Sequence, residues 1–108
     1  MRINRFEDLE CWQEARKLVK MVYRSIKSSK AFQSDYRLRD QSTGAAISVM
    51  NNISEGWASQ SNAEFIKFLK YSRRSCAEVQ SCFYVAIDQE YITEIILMKY
   101  LTRLLRLL

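Results

Sequence analysis

The chain has 108 residues, no proline, no histidine, two glycines and three cysteines, and 17 Lys and Arg against 12 Asp and Glu give it a net charge of +5. That length predicts a single domain, 1–108, and the scarcity of Gly and Pro favours long helices over tight turns. Without histidine a Ser–His or Cys–His nucleophile pair is excluded and the commonest metal ligand is missing, so the expectation is a non-enzyme without metal or cofactor.

The first helix is predicted over about residues 7–28. Trp12, Ala15, Val19, Val22 and Ile26 repeat at alternating spacings of three and four, as in the seam of a helical bundle. Glu7, Asp8, Glu10 and Glu14 come early and basic residues late, which suits the helix dipole. A loop is predicted over 28–34. The second helix then runs over about 35–57, with Ser34 or Asp35 as N-cap.

This second helix is the unusual one. At about 100° per residue, Leu38, Ser42, Ala45, Val49, Asn52, Ile53 and Gly56 share one face. Asn52 therefore points toward a core, flanked by Ser48 and Glu55, with Asn51 four residues before Glu55 and able to bond to it along the helix. A buried polar group costs roughly 1–3 kcal/mol unless hydrogen-bonded. The stripe Ser48, Asn51, Asn52 and Glu55 thus serves register and assembly or contacts a ligand. Catalysis is not expected, because no second carboxylate or histidine completes an acid–base pair. Ile47, Met50 and, nearby, Trp57 lie on the far side. A helix apolar on two sides has two burial partners, which predicts a subunit interface there. Gly44 sits mid-helix, where it costs up to about 1 kcal/mol relative to Ala and offers a place for close helix approach.

Ser61 and Glu64 form a capping-box pattern, so the turn is predicted over 56–60 and the third helix over about 62–89. Its core stripe is Phe65, Phe68, Leu69, Ser72, Cys76, Val79, Phe83, Ala86 and Ile87. Cys11, Cys76 and Cys82 lack metal-type spacing and read as small apolar groups. The last helix is predicted from near residue 93 to 108, with Ile96, Leu101, Leu104, Leu105 and Leu108 inward. It is much shorter than the third. Part of the third helix is therefore covered by another subunit, or the sequence lacks its last turns. Short loops make neighbours antiparallel, so the expected fold is all-α, an up-down-up-down four-helix bundle.

Arg16, Lys20, Arg24 and Lys27 form a stripe on the first helix with Lys17 beside it, and no acid occurs from Ala15 to Ser34. Soluble helices usually interleave signs. On the third helix Lys67, Lys70, Arg73 and Arg74 lie opposite the apolar stripe, with Tyr71 beside them. Repeated cations at reachable spacing suit phosphate backbones, and nothing here resembles base readout. The first and third helices run parallel with their stripes at different heights, which predicts two patches rather than one groove. A solvated basic face is the competing explanation. Glu78 and Arg103 are a candidate surface ion pair. Lys99, Arg103 and Arg106 opposite leucines can be drawn as a membrane-surface helix, but the leucines serve a bundle core more economically. The longest apolar run, 82–87, falls far short of the ~20 residues of a membrane span. With no signal peptide at the start, a cytoplasmic protein without a membrane partner is expected.

The run from Ala45 to Gly56, followed by Asn62-Ala63-Glu64-Phe65-Ile66-Lys67-Phe68-Leu69, resembles the bacterial four-helix-bundle proteins encoded by intervening sequences in large-subunit ribosomal RNA genes. Phe6-Glu7-Asp8-Leu9-Glu10-Cys11-Trp12, Tyr84-Val85-Ala86-Ile87-Asp88 and Tyr91-Ile92 also match family positions. The family is similar to the accessory variability protein of diversity-generating retroelements. The resemblance implies a ring-shaped homopentamer and, by analogy with the retroelement protein, a reverse transcriptase as partner. Relatives often carry basic residues before the Ala-Ala pair; here those positions are Thr43 and Gly44, with Asp40 nearby, so any contact made there is in question. The functional expectation is a non-enzymatic, basic, oligomeric nucleic-acid-binding or adaptor protein acting on RNA or DNA. The alternative is a scaffold oligomer that binds another protein.

Overall fold

The computed structural model describes residues 2–93 and 97–108. Among these the chain is all-α. A 3-10 turn at Phe6–Asp8 leads into α1 (Glu10–Lys27), α2 (Lys30–Ser34), α3 (Tyr36–Ala58), α4 (Asn62–Asp88) and α5 (Leu97–Leu107). The expected loop over 28–34 holds the short helix α2. Ser29 caps it by accepting the Phe32 amide at 3.2 Å, and Phe32 is fully buried. The expected start of the last helix and Ile96 fall on or beside residues 94–96, outside the described residues.

Caps fix the helix starts. The Asp35 carboxylate accepts the Leu38 amide at 3.1 Å, which makes Asp35 the N-cap of α3. Ser61 accepts the Glu64 amide at 3.3 Å. The reciprocal half of the capping box is not made. Instead the Ser61 amide donates to Ser59 Oγ, and the Glu64 carboxylate lies 3.8 Å from Lys67 Nζ. Gly56 lies inside α3 rather than in the turn, and the chain reverses through Gln60 at a left-handed φ of 57°.

α1 buries Cys11, Ala15, Leu18, Val22 and Ile26. Trp12 and Val19, on the seam by spacing, are half-buried and flank the core, while Leu18 takes its centre. The difference follows from α1 having two neighbours, α3 and α5, which turns its buried stripe between them.

α3 and α4 make the most extensive contact, running in opposite directions. Gly56 faces Phe65 and Phe68, Ser48 faces Ser75, and Val49 faces Ser72. The seam is built from small side chains. A Cβ on Gly56 would stand 2.8 Å from Phe68 Cβ and 3.0 Å from Phe65 Cδ1, so glycine sets how closely the helices approach. Gly44 does not have that role, since a Cβ there would meet nothing within 4 Å. Further along α4, Ser72, Cys76, Val79, Cys82, Phe83 and Ala86 are buried, whereas Phe65, Phe68 and Leu69 are only half-buried. The first turns of α4 are thus less covered than the sequence stripe implies.

α5 buries Leu97, Leu101 and Leu104, with Leu105 and Leu108 half-buried. It packs chiefly on α1 and less on α4. Arg103 accordingly lies 3.8 Å from the Glu14 carboxylate of α1, not against Glu78; the expected Glu78–Arg103 pair is replaced because α5 sits on the other neighbour. Arg73 of α4 reaches across and donates to the Leu105 carbonyl at 3.0 Å, in the last turn of α5 where intrahelical partners run out. At the opposite end Tyr91 donates to Asp35 at 2.9 Å and stacks on Phe32, ring centroids 5.5 Å apart. Phe32 in turn meets Phe83 edge-on at 5.9 Å. Asp35 therefore caps α3 with one oxygen and holds the segment after α4 with the other.

Candidate nucleic-acid interface

Arg16, Lys17, Lys20, Arg24 and Lys27 are all exposed on the outer side of α1, opposite its buried stripe. Lys17 donates to Glu14 at 3.1 Å. Among the described residues the other four have no carboxylate within 4 Å. The Arg16 guanidinium lies over the half-buried Trp12 ring, 5.7 Å from its centroid. Arg5, Trp12, Gln13, Arg16, Lys17 and Lys20, with the acidic Glu7 beside Arg5, line an open groove along this side. Such a row can hold successive phosphates without reading bases.

Lys67, Lys70, Arg73 and Arg74 are likewise exposed on α4, but they are more engaged within the chain. Arg73 is held by the Leu105 carbonyl, Lys67 lies near Glu64, and Arg74 stacks over Tyr71 at 5.8 Å. The structure does not bring this row together with that of α1, because the two helices pack on α3 and α5 rather than extensively on each other. The row that does adjoin α1 is on α5. Lys99, Arg103 and Arg106 are exposed and, with Met98 and Thr102, line an open groove. Their spacing was legible in the sequence, but which helix carries them alongside was not.

The polar stripe of α3 divides. Ser48 and Asn52 are half-buried at the seam with α4, and Asn51 and Glu55 are exposed. Asn52 Nδ2 donates to Ser48 Oγ at 3.0 Å and to the Ser48 carbonyl at 2.8 Å, and Ser75 donates to Ser48 Oγ at 2.9 Å. Buried Ser72 donates to the Val49 carbonyl at 2.8 Å. No Asn51–Glu55 side-chain bond forms, and the Asn51 backbone carbonyl accepts from Ser54 Oγ. Ser48 therefore joins α3 to α4 through Ser75, while Asn52 bonds back to Ser48 within α3. Of the outward apolar residues, Ile47 is exposed, whereas Met50 packs against the core and Trp57 lies edge-on to Phe65 at 6.2 Å. The far side of α3 is thus less apolar than its sequence implies.

Cys11, Cys76 and Cys82 are free and buried. Burial pushes the Cys76 thiol up to about 11 and raises the other two, so none is a ready nucleophile. No cluster of three or more His, Cys, Asp or Glu able to hold a metal occurs among the described residues, and none of their helices is long and apolar enough to cross a membrane. What the arrangement offers chemically is exposed positive charge on a rigid helical frame. No curated protein and no solved structure matches the chain. The family model of the 23S rRNA-intervening sequence protein matches residues 7–108, and with nearly the whole sequence covered, the chain belongs to that family.

Proposed function

We propose that this protein is a non-enzymatic, basic nucleic-acid-binding or adaptor protein that works as a homo-oligomer, its four long helices forming an up-down-up-down bundle. RNA is the first candidate ligand, because the family is named for intervening sequences of 23S rRNA. The observation that carries the reading is the row Arg16, Lys20, Arg24 and Lys27, four exposed cations without a carboxylate partner among the described residues. Such a row stores unfavourable like-charge repulsion that a polyanion relieves, and counterion release supplies affinity without base contacts. A pentameric ring would present the row five times over, and a reverse transcriptase is the partner that similarity to the retroelement accessory protein implies; both belong to the proposal.

Titration of the purified protein against labelled structured RNA and duplex DNA at several salt concentrations tests it. A steep fall of log affinity with log salt is the expected result. Absence of binding near 50–100 mM salt, where multi-phosphate contacts remain strong, refutes it. Tyr84 and Val85, adjacent and exposed near the end of α4, favour the second reading, a scaffold that docks another protein.

A further inference from the structure

We propose that the nucleic acid's duplex phosphate backbone lies across the joined faces of α1 and α5, and that Glu14 between them limits how tightly it is held. The proposal rests on the nucleic-acid reading above and identifies its surface. α5 holds no acidic residue from Leu97 to Leu107. Its Lys99, Arg103 and Arg106 fall at i, i+4 and i+7, one stripe opposite the buried Leu97, Leu101 and Leu104. Because α5 docks on α1, with Glu14 within 4 Å of both Arg103 and Lys17, this stripe comes beside the edge of the α1 row at Lys17. Packed helices lie about 8–10 Å apart, so two rows of long basic side chains can reach both strands of one duplex.

The α4 cations do not extend this surface, and they share their helix with exposed Ile66, Tyr84 and Val85. Among the described residues of the α1–α5 side Tyr23 is the one exposed aromatic, at 38%, and Trp12 is half-buried beneath Arg16, so no row of rings is offered to successive unstacked bases. This favours a duplex over a single strand.

Glu14 is the carboxylate between Lys17 of α1 and Arg103 of α5. Its side chain is only 13% exposed, Oε1 accepts from Lys17 at 3.1 Å, and Oε2 has no hydrogen bond, with Arg103 3.8 Å away. It holds two cations of the surface that a phosphate would otherwise engage, and adds a negative charge beneath the path of the backbone. A phosphate arriving at Arg103 has to displace that contact.

The test compares two variants that each remove three positive charges. One is Lys99→Gln, Arg103→Gln, Arg106→Gln; the other is Lys67→Gln, Lys70→Gln, Arg74→Gln. Each is titrated with a labelled RNA hairpin and a DNA duplex of matched length, with Glu14→Gln alongside. The α5 variant is expected to lose about 10-fold or more in affinity and to flatten the log–log salt slope by about 2–3, while the α4 variant changes little. Glu14→Gln is expected to bind several-fold tighter, an outcome that misfolding cannot imitate. A preference between the two duplexes identifies which nucleic acid is the ligand and supports the assignment if this order of variants holds for it. An α4 variant that loses as much as the α5 variant, or a Glu14→Gln protein that binds no tighter, overturns the assignment while leaving the nucleic-acid reading standing. A parent protein that binds neither duplex removes the reading itself.

Discussion

Two glycines in one helix give opposite predictions for the same substitution. Gly44→Ala and Gly56→Ala replace glycines of α3, one mid-helix and one in the last turn, and each gains up to about 1 kcal/mol of helix propensity. At Gly44 the new methyl meets nothing within 4 Å, so the gain should appear in full as roughly 0.5–1 kcal/mol of added stability. At Gly56 the methyl would sit 2.8 Å from Phe68 Cβ, about 1 Å inside an ordinary carbon–carbon contact of 3.5–4.0 Å. Phe68 Cβ is anchored to the α4 backbone and cannot swing away as a side-chain tip can. The helices must therefore separate, and the Ser48–Ser75 and Ser72–Val49 bonds across the seam lengthen with them. Overpacking of this kind costs about 1–3 kcal/mol, enough to cancel the propensity gain and leave a net loss of up to about 2 kcal/mol. Thermal and urea unfolding followed by far-UV circular dichroism measures both variants. For a domain of this size 1 kcal/mol corresponds to roughly 4–6 °C in Tm, so the two should move in opposite directions from the parent. If Gly56→Ala is stabilised as much as Gly44→Ala, the close approach of α3 and α4 is not real.

Three further tests address other parts of the fold. Ser72→Ala removes the bond to the Val49 carbonyl and should cost about 1 kcal/mol, whereas Ser42→Ala removes a buried hydroxyl that meets only the Cys82 thiol, a weak partner, and should cost clearly less in the same unfolding assay. The three thiols should react with a thiol reagent at pH 8 only as fast as the protein opens, because Cys76 with a value near 11 is almost wholly protonated there; immediate labelling of all three would contradict their burial. The bond to the Asp35 carboxylate, with some burial, raises the Tyr91 hydroxyl above its ordinary value of about 10. A raised folded value means its contribution is intact below pH 10 and is lost as pH climbs through the folded value. Stability should therefore decline above pH 10 more steeply in the parent than in Tyr91→Phe, and Asp35→Ala should cost roughly 1–2 kcal/mol at neutral pH through loss of the α3 cap.

Helix existence was legible wherever periodicity and caps coincided. Asp35 and Ser61 are both caps, and the α4 core from Ser72 to Ala86 follows its stripe. Partnership between helices was not legible. Spacing says which side of α5 is buried but not whether α1 or α4 receives it, and the Arg103–Glu14 contact turns on that choice. α2 escaped notice because a five-residue helix has no period to detect, and Phe32 alone was a weak signal. Met50 and Trp57 looked like outward residues by angle alone. Both are long enough to fold back onto neighbours, which a helical wheel cannot represent. At the candidate interface the α1 row was plain from the missing acids, whereas the role of Glu14 depends on tertiary placement.

The docking of α5 has a consequence for the order of events in folding. The eleven described residues of α5 make a helix that is marginal alone in water, so it depends on its leucines resting on α1 and on Arg73 holding its last turn. α3 and α4, adjacent in sequence and joined by a short turn, can pair early through local contacts. α5 then arrives late and leaves first, as a cooperative unit whose amides exchange with solvent ahead of those in the α3–α4 hairpin. Any ligand that grips α5 against α1 would slow that opening, so its binding would be recorded as protection of amides it never touches.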